Sequence, residues 1–269
     1  MDPGIYYSIS NDDYHSGPGI SKSGLDLMAR SPAHFIGAEN KECPAFALGS
    51  ATHCAILEPH EFEKRYFRGE DIRRGTKAWD ELETKAEGRE VLKPQDWDLA
   101  WRIHDAVMSH DGAKILLSGL KGESEISAFW NDPVTGEMCK CRPDYWLKDF
   151  GFIVDLKTTT DARPGAFSRS VASYRYHVQA AFYSDGLEAL GYRVNGFYFL
   201  AIEKEPPFAC AVYSLSPSAI EDGRRLYRKD LNLYAECKRR DYWPGYQEFL
   251  ELDLPPWAYR NTETGESYD

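Results

Sequence analysis

Two short segments near the middle of the chain carry residue types that together suit metal chemistry. Asp144 follows Cys141-Arg142-Pro143, while Asp155 and Lys157 end an apolar run that begins at Ile153. Alternate residues of a β-strand project from one face, so Asp155 and Lys157 point the same way. Asp144 lies on the preceding predicted strand, one short turn away, so that the two carboxylates can converge. Such a pair suits a hard dication such as Mg²⁺, and Lys157 can orient and help deprotonate a bound water.

A plain ion pair between Lys157 and either aspartate explains the same residues, and the residues alone leave both interpretations open. His53 lies in a helix of small and apolar residues, where it is either a ligand or a core histidine. Gln179 and Tyr183 are spaced i and i+4 on one helix face, which is either part of a site or a partly exposed polar face. Glu125 begins the strand that leads to Trp130 and can point toward the same edge.

The elements that must position these residues are predicted from apolar periodicity and from proline and glycine breaks. We expect helices at 21–30, 47–57, 96–117, 176–190 and 217–237, and strands at 126–130, 138–147, 152–157, 194–202 and 208–215. The charged stretch 61–90 is expected to be partly helical and solvated. This order, with a three-strand meander before a helix and two more strands, predicts an α/β fold with a mixed sheet flanked by helices.

The whole chain is expected to form one domain. It consists of an N-terminal helical part at about 1–120, a sheet core at about 121–240 and a C-terminal tail at about 241–269. Its 269 residues are 42% hydrophobic and 28% charged, which is typical of globular proteins. No apolar run approaches the roughly 20 residues that span a bilayer, and the first residues lack a signal peptide. We therefore expect a cytoplasmic protein with no membrane partner.

The net charge of −11 argues against a nucleic-acid partner without excluding one. Binding depends on local fields rather than on the sum of charges, and the segments 161–180 and 221–240 are locally basic. Six cysteines occur without a CxxC pair, and a cytoplasmic chain should keep them reduced. Cys139 and Cys141 share one strand face, where they are either half of a zinc site or, as we favour, buried core residues.

The candidate residues resemble a known family. His53, Asp144, Asp155-Leu156-Lys157 and the run 179–183 match in order and type the motifs of the PD-(D/E)XK nuclease superfamily, in its branch of RecB-type and lambda-type exonucleases. The segments 4–15, 19–32 and 174–186 are similar to those of exonuclease VIII (RecE) nuclease domains, and the resemblance covers essentially the whole chain. It implies a restriction-endonuclease-like fold with extra N-terminal helices.

The resemblance also implies a two-metal phosphodiesterase that uses Mg²⁺, with Mn²⁺ as a substitute. The metal would be held by His53, Asp144, Asp155 and the Leu156 carbonyl, with Glu125 in or next to the metal shell. Lys157 would position the nucleophilic water, while Gln179 and Tyr183 would orient Lys157 and the DNA phosphate. Some relatives carry an iron–sulfur cluster on one N-terminal and three C-terminal cysteines. Cys237 lacks such companions, so we expect no cluster.

The activity implied is 5′-to-3′ digestion of one strand of linear double-stranded DNA. The remaining 3′ overhang would pass to a single-strand annealing protein of the RecT type, and the nuclease would form a homo-oligomer, a ring-shaped tetramer. Candidate DNA contacts are Lys22 and Arg30 at the 5′ phosphate, and Arg163, Arg169 and Arg175 in a channel lining. The segment 224–240 either adds to that lining or is a solvated helix face.

Two other functions stay open from the sequence. One is a structure-specific or site-specific endonuclease of the same fold. The other is a catalytically inactive DNA-binding or assembly module, in which the acidic residues are remnants. The intact set of His53, Asp144, Asp155 and Lys157 counts against the inactive module, since a degenerate copy is expected to lose at least one of them.

Overall fold

The computed structural model describes residues 1–7, 9–39, 44–246 and 249–255. The helices are α1 (Asn11–Ser16), α2 (Lys22–Arg30), α3 (Pro32–Ile36), α4 (Pro44–Leu57), α5 (Phe62–Arg65), α6 (Lys77–Ala86), α7 (Pro94–Ser109), α8 (Asp111–Leu117), α9 (Pro164–Ser173), α10 (Tyr176–Ala189) and α11 (Pro217–Arg240). The strands are β1 (Gly4–Tyr6), β2 (Tyr66–Arg68), β3 (Glu90–Leu92), β4 (Glu123–Ser124), β5 (Ser127–Asn131), β6 (Met138–Cys141), β7 (Tyr145–Leu147), β8 (Phe152–Thr159), β9 (Gly196–Glu203) and β10 (Cys210–Ser214). Two 3₁₀ turns lie at Pro59–Glu61 and Lys148–Phe150.

A five-stranded mixed sheet forms the centre of the molecule, with the strand order β10-β9-β8-β7-β4. Within this sheet β8 and β9 run parallel and the other described pairs are antiparallel, and the chain between β8 and β9 supplies α9 and α10 as the crossover that a parallel pair requires. A second, three-stranded sheet has the order β1-β5-β6. The predicted mixed sheet flanked by helices is confirmed.

The two sheets are joined by one long bent hairpin. Ser124 lies opposite Tyr145 in the first sheet and Ala128 lies opposite Cys141 in the second, so the register continues across the bend without an inserted residue. Pro143 has no backbone N–H to give to the ladder, and the pairing is interrupted there. The chain changes direction at Glu125, whose backbone is in the left-handed conformation with φ 51°. The predicted strand 138–147 is therefore two strands, β6 and β7.

Helices cover both faces of the five-stranded sheet. Successive strand residues point alternately into two hydrophobic cores. Ile153 and Phe199 lie in the core covered by α2, α10 and α11. Val154 and Leu200 lie in the core covered by α4, α7 and α8. The alternation follows from the period of two in a strand. Each fully buried side chain of this size stabilises the fold by about 1.5–3 kcal/mol. Asp155 and Lys157 follow Ile153 in the alternation and so face α10.

Three further differences from the predicted elements concern helices. The charged stretch 61–90 is not merely solvated, because Trp79, Leu82 and Ala86 of α6 pack on Val91 in a small core next to the parallel pair β2 and β3. The predicted helix 96–117 is divided into α7 and α8. His110 lies between them with an extended backbone and accepts a hydrogen bond from the Ala113 N–H as the cap of α8.

Helix α9 is the third difference, since no helix was predicted there. Pro164 occupies its first turn, and Phe167 and Val171 are buried one turn apart. The C-terminal tail expected at about 241–269 lies partly outside the described residues, and its described part contains no helix or strand. No helix in the described part of the chain combines the length and apolar character that a membrane crossing requires.

The N-terminal segment is fastened to β6 by a buried lysine. Lys140 is 5% exposed, and its Nζ donates to the carbonyls of Tyr14 (2.8 Å), His15 (3.0 Å) and Gly17 (2.6 Å). These carbonyls lie at the C-terminal end of α1, where a helix leaves acceptors unsatisfied and favours a cation. The three bonds replace the hydration of the ammonium and fix α1 against the sheet.

Cys139 and Cys141 flank Lys140 and point the other way, into the core that α10 covers, with no exposed surface. We predict that changing both to serine destabilises the protein by about 1–3 kcal/mol per site, because each hydroxyl must be buried in apolar surroundings. Urea unfolding measures this, with the half-buried Cys210→Ser as the milder control. Elemental analysis should find the same zinc and iron content in the wild type and in the double variant. Stoichiometric metal that is lost only in the double variant would contradict the prediction.

Candidate active site

Asp144 and Asp155 face each other across the ladder that joins β7 and β8. Asp144 immediately precedes β7, whose Tyr145 pairs with Val154, so the next position in register is Asp155. The Oδ2 atom of Asp144 accepts a hydrogen bond from the Leu156 N–H at 2.7 Å. The structure thus brings together the two carboxylates that the sequence placed on neighbouring strands.

Glu125 and His53 complete a group of metal-ligand atoms around Asp144. Glu125 lies at the hairpin bend, where its N–H donates to the Asp144 carbonyl at 3.0 Å. His53 reaches the same place from α4, with its Nδ1 3.6 Å from Asp144 Oδ2. One ligand atom from each of the three residues lies within 4.8 Å of the other two. Glu125 is therefore more central than the sequence indicated.

Asp155 lies beside this group rather than within it. Its side chain is 1% exposed and its carboxylate pairs with the Lys157 ammonium. The amide of Gln179, on α10, donates to the other carboxylate oxygen. Of Leu156, the structure shows its amide bound to Asp144, and the predicted use of its carbonyl stays a prediction. Asp155 is thus engaged by Lys157 and Gln179 next to the residues that gather around Asp144.

The local charges shift the pKa values of the group in opposite directions. Burial, and then the neighbouring Asp155, raise the pKa of Asp144 well above its ordinary value. Burial, and then the Lys157 ammonium, lower the pKa of His53, which keeps the imidazole neutral. Burial alone would lower the pKa of Lys157, but Asp155 and Asp144 outweigh it and raise that pKa. Lys157 is therefore a cation that can donate to a water or a phosphate, and its predicted help in deprotonating a bound water stays a prediction.

The residues present fit a divalent cation. An ion held at about 2.0–2.6 Å from each ligand brings ligand atoms to within about 4–5 Å of each other, as His53, Glu125 and Asp144 already are. Two carboxylates and a neutral imidazole are donors for a hard or borderline dication. Burial, and then the neighbouring Asp155, raise the pKa of Asp144, so the protein by itself disfavours the ionised carboxylate. A bound cation would favour the ionised form.

Helix α10 supplies the side of the site opposite His53. Besides Gln179, it places the ring of Tyr176 4.8 Å from Lys157 Nζ, so the ammonium lies over an aromatic face. Burial, followed by the neighbouring Tyr14, raises the pKa of Tyr183 well above its ordinary value. Tyr183 therefore keeps its proton and remains a donor.

Arg142 is the site residue that the sequence reasoning missed. Its side chain is 10% exposed, and its guanidinium lies 3.9 Å from Glu125 Oε2 and 4.5 Å from the ring centroid of Tyr14. It also donates to Ser127 Oγ, at 2.7 Å from one terminal nitrogen. Arg142 therefore holds Glu125 and ties α1 to the site. The signal was its position two residues before Asp144, on the strand face opposite the buried cysteines.

The candidate DNA contacts occupy different environments. Lys22 pairs with Asp26 at 2.6 Å and donates to the Tyr174 carbonyl at 2.8 Å. Arg175 pairs with Asp26 at 3.3 Å and with Asp230, and its predicted DNA contact stays a prediction. The other candidates are on the surface: Arg30 beside Tyr246, Arg163 paired with Asp161, and Arg169 on α9.

Much of the predicted basic lining from α11 is compensated within the chain. Arg224 pairs with Asp185 at 2.8 Å, and Arg228 pairs with Asp132. The same holds for Arg225 with Asp222, Lys238 with Glu137 and Arg240 with Glu236. The pairs of Arg224, Arg228 and Lys238 attach α11 to the rest of the fold, whereas those of Arg225 and Arg240 lie within the helix. Together they favour the alternative in which the outer face of α11 is solvated.

The family model of a PDDEXK-like domain of unknown function (DUF3799) matches residues 21–252. The chain belongs to this family. It is therefore a member of the PD-(D/E)XK nuclease superfamily, as the motifs predicted. No curated protein matches the chain.

One solved structure has a similar fold. The crystal structure of a "putative exonuclease" from Eubacterium rectale superposes with a TM-score of 0.61 at 14% identity, covering 92% of this chain and 96% of that one. A structure named SSO0001 covers 77% of this chain and 85% of its own, at 13% identity and a TM-score of 0.30, which is too distant to support an argument. The first likeness supports the restriction-endonuclease-like architecture with its N-terminal helices.

We predict that Asp144→Asn weakens Mn²⁺ or Mg²⁺ binding by more than about tenfold, since even residues that only support metal ligands contribute about that much. Titration calorimetry measures the affinity, and Asp149→Asn, an exposed aspartate beyond β7, is the matched control. Protons compete with the metal for a carboxylate. Because the pKa of Asp144 is raised and that of His53 is lowered, affinity should fall with decreasing pH as Asp144, not His53, takes up its proton. Equal affinities for the two variants would contradict this assignment.

Proposed function

We propose that the protein is a Mg²⁺-dependent 5′-to-3′ exodeoxyribonuclease that degrades one strand of linear double-stranded DNA and leaves a 3′ overhang. The observation that carries the proposal is the group of His53, Glu125 and Asp144 donor atoms within 4.8 Å of one another. The ion pair of Asp155 and Lys157 lies directly beside it. Membership of the superfamily supports phosphodiester hydrolysis as the reaction.

The side chains divide the work of hydrolysis as follows. His53, Glu125 and Asp144 would hold the metal ion, with Asp155 able to join them. A bound metal lowers the pKa of a water molecule and stabilises negative charge on the departing oxygen. The Lys157 ammonium, held by Asp155 and Tyr176, would donate to the attacking water or to the scissile phosphate. Gln179 keeps Asp155 in place, which keeps Lys157 oriented.

The polarity and the partners come from the resemblance to exonuclease VIII nuclease domains. The overhang would be taken up by a single-strand annealing protein of the RecT type. A ring-shaped homotetramer would keep the enzyme on its substrate by geometry, which suits a chain of net charge −11 that cannot depend on overall attraction to DNA. Light scattering distinguishes such a tetramer from a monomer.

An endonuclease of the same fold would use the same residues, so the choice between the two activities requires an experiment. An inactive module is disfavoured because the carboxylates, the imidazole and the lysine are all present and close together.

We predict that Asp144→Ala, Asp155→Ala and Lys157→Ala each lower the rate of DNA hydrolysis by more than about 10²-fold, the effect of removing one group that stabilises charge in the transition state. Release of acid-soluble nucleotides from linear duplex measures the rate. Lys121→Ala, at an exposed position, serves as the matched control. The circular dichroism of each variant establishes that it is folded. Wild-type turnover by folded Asp155→Ala would end the nuclease proposal.

We predict that linear duplex DNA is digested while covalently closed circular DNA of the same sequence survives. An exonuclease needs an end, whereas an endonuclease would nick the circle. Separate 5′ and 3′ end labels give the direction, and the 5′ label should be released first. Release of the 3′ label first would reverse the polarity, and nicking of the circle would favour the endonuclease.

A further inference from the structure

A column of stacked aromatic rings leads from the core to the surface beside Lys157. The ring centroids of Phe199 and Tyr176 are 5.7 Å apart with their planes 28° apart. Those of Tyr176 and Tyr174 are 5.6 Å apart with an angle of 26°. Lys157 Nζ lies 4.8 Å from the centroid of Tyr176, the middle ring. Tyr174 ends the column and is 62% exposed, so one ring face is open to a further planar group.

The backbone that holds Tyr174 is fixed from three sides. Arg175 separates the two tyrosines and has a left-handed backbone, φ 55°, which is uncommon for a residue other than glycine. Its guanidinium is held by Asp26 at 3.3 Å and by Asp230. Lys22 Nζ donates to the Tyr174 carbonyl at 2.8 Å. The exposed ring is therefore presented by a rigid junction rather than by a free loop.

Tyr174 also borders a polar groove between the end of β8 and α9. One cavity of about 290 Å³ is lined by Thr158, Ser170, Tyr176 and Lys204, among others. A second, of about 370 Å³, adds Arg169, Ser173 and Asp161 among others, and the Asp161 carboxylate is paired with Arg163. Thr159, Thr160, Ser170 and Tyr174 line both. Hydroxyl groups beside exposed cations are the groups that contact phosphate and sugar in protein–DNA complexes.

We propose that Tyr174 is a base-stacking platform, on which one nucleobase of the bound DNA strand lies after leaving the duplex stack. The phosphates next to that base would run along the β8–α9 groove toward Lys157. The inference rests on the proposed nuclease function and adds to it the residue that positions the substrate. Stacking on an aromatic ring is open to every base and does not require net positive charge. It suits an acidic protein whose arginines on α11 are largely paired.

The test measures binding without hydrolysis, by fluorescence anisotropy of a labelled duplex in Ca²⁺. Tyr174→Ala should weaken binding about tenfold, the effect of losing one base stack. Tyr174→Phe keeps the ring and should stay within about twofold of the wild type. Tyr242→Ala removes a tyrosine of similar exposure, 65%, and is the matched control. Thermal unfolding followed by circular dichroism compares the stability of the variants.

A series of duplexes with one abasic nucleotide, moved stepwise from each strand end, identifies the stacked base. With the abasic nucleotide at one position, the wild type should bind the duplex about tenfold more weakly than the intact duplex. At that position Tyr174→Ala should show no further loss of affinity. An equal effect of Tyr174→Ala on every duplex, or no effect, overturns the platform, as does an equal loss in Tyr174→Phe. If hydrolysis continues in those cases, the proposed function stands without the platform. A wild-type protein that neither binds nor cleaves DNA refutes both.

Discussion

Folding forces like charges together at the bend of one hairpin, and the surrounding structure compensates for them. Asp144, Asp155 and Glu125 converge where the chain passes from one sheet to the other. Burial and mutual repulsion both disfavour ionised carboxylates. Asp155 pairs with the Lys157 ammonium and accepts a hydrogen bond from Gln179. Asp144 accepts a hydrogen bond from the Leu156 N–H, and the Arg142 guanidinium lies near the Glu125 carboxylate. Each of these partners is positioned by a strand pairing or by helix packing.

The compensation is incomplete, and this has a physical consequence. The raised pKa of Asp144 means that ionising this carboxyl costs free energy in the folded protein. A cation that binds only the folded state stabilises it in proportion to its affinity and concentration. The site thus gives up stability that a bound cation would restore, which is the usual conflict between a functional centre and the fold that carries it.

The sequence predicts the sheet well and its bend poorly. Strands β5, β8 and β9 and helices α2, α10 and α11 agree with periodicity and breakers, because their apolar patterns match their burial. The bend depends on Pro143, which can be read from the sequence, and on the left-handed backbone of Glu125. The sequence does not predict that conformation, because glutamate rarely adopts it. Helix α6 had its Trp79, Leu82 and Ala86 at helical spacing, but the charges around them hid the pattern.

The site was predictable to different depths for different residues. Asp155 and Lys157 follow from a strand that ends in polar residues. His53 could be matched to a family motif but not placed, because its distance from Asp144 depends on how α4 packs on the sheet. Arg142 and the ion pairs of Arg175 were missed because a charged side chain buried by tertiary contacts looks, in sequence, like any other surface arginine.

The N-terminal helices are part of the site rather than an addition to the sheet. Asp26 of α2 receives both Lys22 and Arg175, so α2 sets the junction at which α9 ends and α10 begins. That junction determines where Tyr176 meets Lys157 and where Gln179 meets Asp155. On the other side, α1 is held through Tyr14, whose carbonyl accepts from Lys140 and whose ring lies against the Arg142 guanidinium. One N-terminal attachment ends at the helix junction that positions Tyr176 and Gln179, and the other ends on the strand that leads to Asp144. Displacing either would therefore also move groups that balance the charge of the carboxylates.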